Sequence, residues 1–359
     1  MKRNTYLVAG GAGFIGSNFI LNSLIHEEGC TVINIDKLTY AGNLENLQSI
    51  KDDPRHIFIH GDICNIALVE ELFETYNPSI IVNFAAETHV DRSIHEPLPF
   101  VKTNVSGMCN LMQVALEHWN KLPGKSKDTY RFINISTDEV YGSLDSGEAP
   151  LCEGSVYRPN SPYAASKAAA DQFARAYYQT YQMPTITIHA SNNFGPHQFP
   201  EKLIPLTIYN ALHGKNIPIY GDGNQSRNWI YVTDCCEAIH AVIDKGKIGE
   251  SYNIGDTNEI TNIALVKKIC EHLDTLCQHS DHRPHGDLIT HVNDRPGHDR
   301  RYALNTEKLN HKIGWKPKGS FDDKLLKTIQ WYLDNEKWLE HVISGEYHDW
   351  IEKQYRDEV

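Results

Sequence analysis

Residues 10–16 read Gly-Gly-Ala-Gly-Phe-Ile-Gly, and they separate an apolar run at 6–9 from an apolar-periodic segment at 14–25. Gly10, Gly13 and Gly16 allow a tight turn, a close approach of backbone to pyrophosphate, and close packing of helix on sheet. The helix that follows would offer free N–H groups and a positive dipole end to phosphates. Three spaced glycines also occur in flexible loops, so the flanking strand and helix are what favour a dinucleotide site.

A carboxylate at the end of the second predicted strand supports this interpretation. The β-branched run at 31–35 ends in Asp36, which lies 36 − 16 = 20 residues after the last glycine. A carboxylate at that distance typically bonds the adenosine ribose hydroxyls. Asp36 would repel a 2′-phosphate, so the pattern favours NAD over NADP, although Lys37 beside it weakens that preference.

Short apolar runs alternate with longer helix-like segments through the first half of the chain, which indicates βαβ units and a parallel sheet. The second half is less regular, with several prolines after residue 193 and a turn at 221–224. We therefore predict an α/β fold, a Rossmann-type doubly wound parallel sheet with a smaller, mixed C-terminal substrate-binding domain. The predicted parts are the sheet domain at 1–190 with 228–256 rejoining it, the substrate domain at 191–227 and 257–330, and a C-terminal helical segment at 331–359.

The charge balance excludes some classes of partner. The 34 Lys and Arg against 46 Asp and Glu give a net charge of −12 over 359 residues, whereas duplex nucleic-acid binders normally present a basic face. A local basic pocket for one or two phosphates is still compatible with this charge. No run approaches the ~18 apolar residues of a membrane span, and no signal-peptide pattern opens the chain, so we expect a cytoplasmic protein that binds neither membrane nor nucleic acid.

The cysteines and histidines do not predict a metal site. Eight scattered cysteines include no C-x-x-C pair, and without an export signal we expect reduced thiols. The stretch 279–291 has metal-like spacing in His279, His282, His285 and His291, with Asp281 and Asp287 between them. Because it is polar and contains Pro and Gly, we expect a solvated loop.

A tyrosine and a lysine share one face of a long predicted helix. Ser161 suits its N-cap and Pro162 its first turn, and Tyr163 and Lys167 lie four residues apart. An ammonium near a phenol would lower the phenol pKa from roughly 10 toward neutrality. Such a pair also occurs by chance on surface helices. The preceding dinucleotide pattern, and Ser136-Thr137 at the end of a strand, favour an acid–base role.

Together these features resemble the extended short-chain dehydrogenase/reductase superfamily, from Tyr6 to at least Tyr302. One departure is Ala9, where these proteins commonly carry Thr, and it concerns local hydrogen bonding. The resemblance implies a bound NAD. The cofactor-binding residues that it implies are Gly10, Gly13, Phe14, Ile15, Gly16, Asp36, Lys37, Thr39, Asp62, Ile63, Ala85, Ala86, Tyr163, Lys167 and Asn192.

Two adjacent carboxylates, Asp138 and Glu139, distinguish members of this superfamily. Burying carboxylates costs free energy unless they are solvated or take part in function. The alternative is that an Asp-Glu pair in a loop is usually exposed on the surface and has no function. The pair resembles that of the superfamily's nucleotide-sugar 4,6-dehydratases, whereas 4-epimerases lack it and decarboxylases typically keep only the Glu. The stretches at 85–93, 191–205, 227–232 and 294–302 agree with these dehydratases.

The resemblance implies five catalytic residues. Loss of a hexose C6 hydroxyl needs an acidic C5 hydrogen, which oxidation of C4 to a ketone supplies. Tyr163 would take the O4 proton with Lys167 tuning it, and Thr137 would hold O4. Glu139 would abstract the C5 proton and a protonated Asp138 would donate to the leaving hydroxyl. These two carboxyls would then titrate as a coupled pair.

The implied substrate is a nucleoside-diphosphate sugar. Arg227 and Arg295 would bind its diphosphate, with a surface salt bridge as the alternative, and Tyr220 would line a nucleobase pocket unless it is a core tyrosine. The substrate-binding residues that the resemblance implies are Thr88, Thr137, Asn193, Lys202, Leu203, Pro218, Tyr220, Arg227, Asn262, Arg295 and His298.

Other functions on the same scaffold are a 4-epimerase, a UDP-glucuronate decarboxylase, and a non-enzymatic NAD-binding redox sensor or structural subunit. The first two do not need the Asp138-Glu139 pair. The third would be expected to lose Tyr163, Lys167 or the carboxylates, and the sequence retains them all.

Two predicted helices carry apolar residues at helical spacing. In this superfamily the corresponding helices pair with their symmetry mates in a four-helix bundle, which implies a homodimer. The alternative is that both faces pack inside the monomer. The residues concerned are Phe173, Ala176, Tyr177 and Tyr181 on the helix at 162–182, and Val101, Val105, Met108, Leu111, Met112 and Leu116 on the helix at 100–119.

Overall fold

The computed structural model describes residues 4–343. Its strands are β1 (Thr5–Ala9), β2 (Thr31–Asp36), β3 (His56–His60), β4 (Ile80–Asn83), β5 (Arg131–Thr137), β6 (Thr185–Ala190), β7 (Asn192–Phe194), β8 (Ile217–Tyr220), β9 (Ser226–Tyr231), β10 (Ser251–Ile254), β11 (Glu259–Thr261) and β12 (Ile289–Val292). Its helices are α1 (Phe14–His26), α2 (Ile66–Tyr76), α3 (Val90–His95), α4 (Pro97–Phe100), α5 (Met108–Lys121), α6 (Gly124–Lys127), α7 (Pro162–Tyr181), α8 (Leu203–Leu212), α9 (Val232–Lys245), α10 (Asn262–Leu276), α11 (Phe321–Asp334) and α12 (Glu336–Ile343). Short 3-10 segments span Leu44–Ile50, Asp138–Tyr141 and His285–Leu288, and π-helical segments span Val101–Gly107 and Leu309–Ile313.

Seven parallel strands form the main sheet in the order β10-β6-β5-β4-β1-β2-β3. The predicted Rossmann-type sheet is therefore confirmed. The strand order reverses between β1 and β4, and such a reversal opens a crevice beyond the carboxyl ends of the strands. The glycine turn and the end of β5 both lie at this edge.

Side chains that alternate along the strands build one apolar layer on each face of the sheet. On β1, Val8 belongs to the layer that includes Phe19 of α1 and Ile239 of α9. Its neighbour Leu7 belongs to the opposite layer, with Leu72 of α2 among its members. Burial on both faces explains why the strands are continuously apolar rather than alternating.

The second half of the chain forms two small sheets, ordered β11-β9-β7 and β12-β8. A third apolar cluster includes residues of α8, α10, α11 and α12. Of the segment at 228–256, which we predicted to rejoin the main sheet, only one strand does so. Strand β10 pairs with β6 in the main sheet, but β9 pairs parallel with β7 and antiparallel with β11. The proposed domain boundaries stay a prediction, and residues 344–359 of the helical tail lie outside the described residues.

The helix predicted at 100–119 begins earlier and is not α-helical throughout. Helix α4 continues through the π-helical segment Val101–Gly107 into α5. Asn104 in this segment accepts from the Glu87 amide at 2.8 Å and donates to the Ser166 hydroxyl at 2.8 Å. The irregular turn therefore ties the loop after β4 to α7, as π-turns near functional sites often do.

The remaining fold predictions concern thiols, metals and membranes. All eight cysteines are free thiols. His285 is buried and its Nδ1 lies 2.6 Å from Asp274, so this histidine is not part of a solvated loop. Across residues 4–343, no group of three or more His, Cys, Asp or Glu could hold a metal ion. None of the helices described within that range has the length and apolarity that crossing a membrane requires.

Candidate active site

A cavity of about 440 Å³ opens at the carboxyl edge of the main sheet. Its walls include the loops after β1, β2, β3, β4 and β5 and parts of the second half of the chain between residues 190 and 298. Every cofactor- and substrate-binding residue predicted from the sequence lines it, as do Thr137, Glu139, Tyr163 and Lys167. Asp138 is the one predicted site residue that does not.

The glycine turn packs against neighbouring backbone too closely to admit side chains at Gly10 and Gly16. Gly10 has φ +79°, and a Cβ added there would lie 2.6 Å from the Ala85 nitrogen. A Cβ at Gly16 would lie 2.2 Å from the Gly10 carbonyl oxygen. Gly13 is the N-cap of α1 and provides no side-chain cap. The first residues of α1, at 14–16, line the cavity, and this helix start has no capping side chain, which fits the pyrophosphate of a dinucleotide.

Asp36 is fixed at the end of β2. Its two carboxylate oxygens accept from the Ala12 and Leu38 amides, each at 2.8 Å. Burial raises the pKa of this carboxyl. The neighbouring Lys37 ammonium lies 2.8 Å from a carboxylate oxygen of Asp62. Because Lys37 is paired in this way, it offers less attraction to a 2′-phosphate, and the site fits NAD better than NADP.

The start of α7 places Tyr163 and Lys167 against β5. Ser161 caps this helix by accepting from the Ala164 amide at 3.1 Å. The Lys167 ammonium donates to the Ile135 carbonyl at 2.6 Å, and its burial lowers its pKa. The predicted fall in the phenol pKa is wrong for this structure. Burial raises the pKa of Tyr163, Glu139 adds to the rise, and a hydrogen bond with Thr137 opposes it.

Asp138 is sequestered beside the cavity. It follows β5 in the 3-10 turn Asp138–Tyr141 and is 3% exposed. Thr137 donates its hydroxyl to Asp138 Oδ1 at 3.3 Å, while Asp138 Oδ2 has no hydrogen-bond partner within residues 4–343. Burial, followed by the nearby Glu139 carboxylate, raises the pKa of Asp138 to about 7. This group can therefore carry a proton near neutral pH.

Glu139 faces a more cationic environment than its neighbour. Burial raises its pKa, but the positive charges of Arg295, Lys202 and Arg227 act in the opposite direction. Of these three cations, only Arg227 is among the main influences on Asp138. Two carboxyls this close disfavour a double negative charge. The surroundings therefore favour the charge on Glu139 and the proton on Asp138.

Two guanidinium groups border the same cavity. Arg227 is buried, donates to the Ser226 and Asp299 carbonyls at 2.8 Å, and lies 4.2 Å from the Tyr302 ring centroid. The alternative of a surface salt bridge is therefore wrong for Arg227. Arg295 pairs with Asp91 at 3.0 Å and is mostly buried.

The other residues predicted to bind the substrate differ in their partners and their burial. The Lys202 ammonium donates to the Thr88 carbonyl at 3.0 Å. Tyr220 is half-buried and donates to Asp91 at 3.2 Å, so it is not a core tyrosine. Burial lowers the pKa of His298 to about 4. The others contribute to the cavity wall without a common role, and they are Asn193, Leu203, Pro218 and Asn262.

Some cavity residues were missed by sequence reasoning. Asp91 lies within the 85–93 stretch and Glu201 precedes Lys202, but the sequence predicts a role for neither residue. Glu201 is buried, accepts from the Tyr40 hydroxyl at 3.3 Å, and lies 3.7 Å from His89. No local pattern distinguishes such carboxylates from surface ones, because their partners come from distant parts of the chain.

Comparisons with known proteins agree with this geometry. A family described as GDP-mannose 4,6 dehydratase matches residues 7–328. A dTDP-glucose 4,6-dehydratase from Xanthomonas campestris is 48% identical over 344 residues, 96% of this chain and 97% of the relative. The crystal structure of a dTDP-glucose 4,6-dehydratase from Bacillus anthracis in complex with NAD aligns with a TM-score of 0.83 and 44% identity, covering 94% of this chain and 99% of that one. A dTDP-glucose 4,6-dehydratase from Streptomyces venezuelae, with NAD and TDP bound, aligns with a TM-score of 0.84 and 42% identity over the same shares.

Proposed function

The chain belongs to the GDP-mannose 4,6 dehydratase family, and from this premise we propose that it is an NAD-dependent hydro-lyase that converts dTDP-glucose to dTDP-4-keto-6-deoxyglucose and water. The observation that carries this proposal is the adjacent Asp138 and Glu139 beside Tyr163 at the end of β5. NAD held in this cavity would supply the oxidation at C4 and the matching reduction at C6, so the reaction would consume no external reductant. The chain's own residues supply the proton transfers and the binding.

The first task is removal of the O4 proton. Tyr163 is the base, because its phenol is buried at the cavity wall and hydrogen-bonded to Thr137. Thr137 also holds O4 in place. Lys167, one helical turn away, is fixed by the Ile135 carbonyl, and its ammonium form would favour the phenolate. Because burial raises the pKa of Tyr163, positive charge beside its oxygen, such as that of an oxidised nicotinamide ring, would favour the phenolate.

In the elimination, one carboxyl acts as the general base and the other as the general acid. Glu139 lines the cavity and removes the C5 proton once C4 is a ketone. Asp138, which carries a proton near neutral pH, donates it to the departing C6 hydroxyl. General acid and base catalysis of this kind contributes about 10²–10⁴-fold each. Glu139 then returns a proton to C5 as C6 is reduced.

The diphosphate is the part of the substrate that the cations recognise. Arg227 and Arg295 bring two guanidinium groups to one cavity, and Lys202 adds an ammonium. Guanidinium groups bond phosphate oxygens in a bidentate manner. In a chain with net charge −12, this local cluster of cations supports an anionic small-molecule substrate rather than a nucleic acid.

The reaction is tested by its mass balance. Purified protein incubated with dTDP-glucose is expected to yield a nucleotide sugar lighter by one water, without added reductant, as measured by mass spectrometry. UDP-glucose serves as the matched substrate control for the nucleobase. A product of unchanged mass with inverted C4 would instead identify a 4-epimerase, and loss of carbon dioxide from UDP-glucuronate would identify a decarboxylase.

We also propose that the protein is a homodimer formed through a four-helix bundle. Leu98 of α4 is 77% exposed and Val101 47%, while Phe173 and Tyr181 of α7 are 40% and 50% exposed. Val101, Phe173 and Tyr181 are among the residues predicted from the sequence for the interface, whereas Leu98 precedes the predicted helix at 100–119. By contrast, Met108, Leu111, Met112 and Leu116 pack inside the monomer, so the apolar face of α5 is not available in full.

A sedimentation equilibrium experiment at micromolar concentration tests this assembly. Burial of about 800 Å² of each subunit, the usual interface size, provides enough apolar contact for a stable dimer. We expect a mass of twice the chain's 40.8 kDa, and Phe173→Glu should reduce it by placing a charge in the interface. A wild-type mass near 40.8 kDa would contradict the dimer.

The cytoplasmic location stays a prediction.

A further inference from the structure

One side of the Arg295 guanidinium is already occupied. Its Nη1 lies 3.0 Å from Asp91 Oδ1. Its Nε is buried and has no hydrogen-bond partner among residues 4–343, and the side chain lines the cavity. A buried N–H without a partner costs free energy, and Asp91 bonds only the Nη1 end of the group. The part of the guanidinium that lines the cavity is therefore the part that a phosphate of the substrate would meet.

Asp91 reaches Arg295 from a distant part of the chain. It lies in the first turn of α3, which follows β4 of the main sheet, whereas Arg295 follows β12 of a small sheet. The same carboxylate accepts from the Tyr220 hydroxyl at 3.2 Å through its other oxygen. One carboxylate therefore holds two of the residues assigned to the nucleotide, one for the diphosphate and one for the nucleobase.

Arg227 provides an internal comparison. Its guanidinium is held by the neutral carbonyls of Ser226 and Asp299 and by the ring of Tyr302. Arg295 has Asp91 as its ion-pair partner, and both side chains are mostly buried, with 22% and 13% exposure. Because a full negative charge attracts a guanidinium more strongly than the dipole of a carbonyl does, the orientation of Arg295 depends on Asp91 as that of Arg227 does not.

We propose that Asp91 is a positioning residue for the nucleoside diphosphate of the substrate, acting through Arg295 and Tyr220. This inference rests on the proposed function, because it assumes a nucleotide-sugar substrate. Asp91 is not assigned contact with the reacting carbons. Its loss should therefore change substrate affinity and leave the chemical step largely intact.

Asp91→Asn in the full-length protein tests this role. The amide keeps the shape and an acceptor for Tyr220, but it removes the charge that orients Arg295. We expect the Kd for dTDP, measured by calorimetry, and the KM for dTDP-glucose to rise about ten- to hundred-fold, the range of one charge-assisted hydrogen bond. The kcat should stay within about two-fold of the wild-type value, because the catalytic groups are unchanged.

A double-mutant cycle separates positioning from a merely structural role. If Asp91 acts through Arg295, Asp91→Asn should weaken dTDP binding much less in an Arg295→Gln background. Asp222→Asn is the matched control, since it breaks an exposed Asp–Arg pair with Arg300 at 2.8 Å and should leave dTDP binding unchanged.

Several outcomes would overturn the proposal. Tighter dTDP binding by Asp91→Asn would mean that the carboxylate competes with phosphate, and full additivity with Arg295→Gln would mean that the two residues act independently. Loss of NAD or of the folded state in Asp91→Asn would make Asp91 structural. Failure of the wild-type protein to bind dTDP or to convert dTDP-glucose would refute the proposed function itself, which separates the two failures.

Discussion

Replacement of Glu139 by Gln is expected to lower the turnover of dTDP-glucose by about 10²–10⁴-fold, the usual contribution of a general base. Gln keeps the size of the side chain but cannot accept the C5 proton. Tyr163 and Thr137 are untouched, so C4 oxidation can still occur. In a single-turnover experiment, the near-ultraviolet absorbance of reduced nicotinamide should rise and persist while no dehydrated product forms.

Solvent exchange gives an independent readout for this variant. In deuterated water the wild-type enzyme should place deuterium at C5, whereas Glu139→Gln should leave recovered substrate unlabelled. Glu74→Gln, on the exposed surface of α2, is the matched control and should behave as wild type. Product formation by Glu139→Gln at the wild-type rate would assign the base to another residue.

The parts of the fold that were predicted correctly are those determined by residues close together in the sequence. The glycine turn occupies residues 10–16, the carboxylate at the end of β2 follows 20 residues later, and each strand or helix of the alternation is marked by its own short run of residues. The pairing of β9 was not local. Its sequence indicates a strand, but its partners β7 and β11 are chosen by tertiary packing, so strand periodicity could not exclude it from the main sheet.

The same distinction applies to the site. The spacing of Tyr163 and Lys167 on one helix was readable, because helical geometry fixes it. The raised pKa of Tyr163 was not, since it comes from burial and from Glu139, which the fold supplies. Nor could sequence pair Asp91 with Arg295, because the two residues are 204 positions apart.

Asp138 shows how burial makes a carboxyl group keep a proton near neutral pH, so that it can act as a general acid. Its pKa of about 7 means that it is protonated below neutral pH and loses that proton as the pH rises through 7. Since only the protonated form can donate to the leaving hydroxyl, wild-type kcat/KM should fall on the alkaline side of this pKa. Removing the titrating group should remove that part of the pH profile of kcat/KM.

Asp138→Asn is therefore expected to slow elimination by about 10²–10³-fold, within the range of a lost general acid, and to flatten the pH profile of kcat/KM around pH 7. An amide cannot supply the proton that the C6 hydroxyl needs in order to depart. A substrate with fluoride at C6 needs less protonation, so the variant should recover part of its lost rate with it. Equal losses on both substrates would show that Asp138 is structural, and the acid would then have to be sought elsewhere in the cavity.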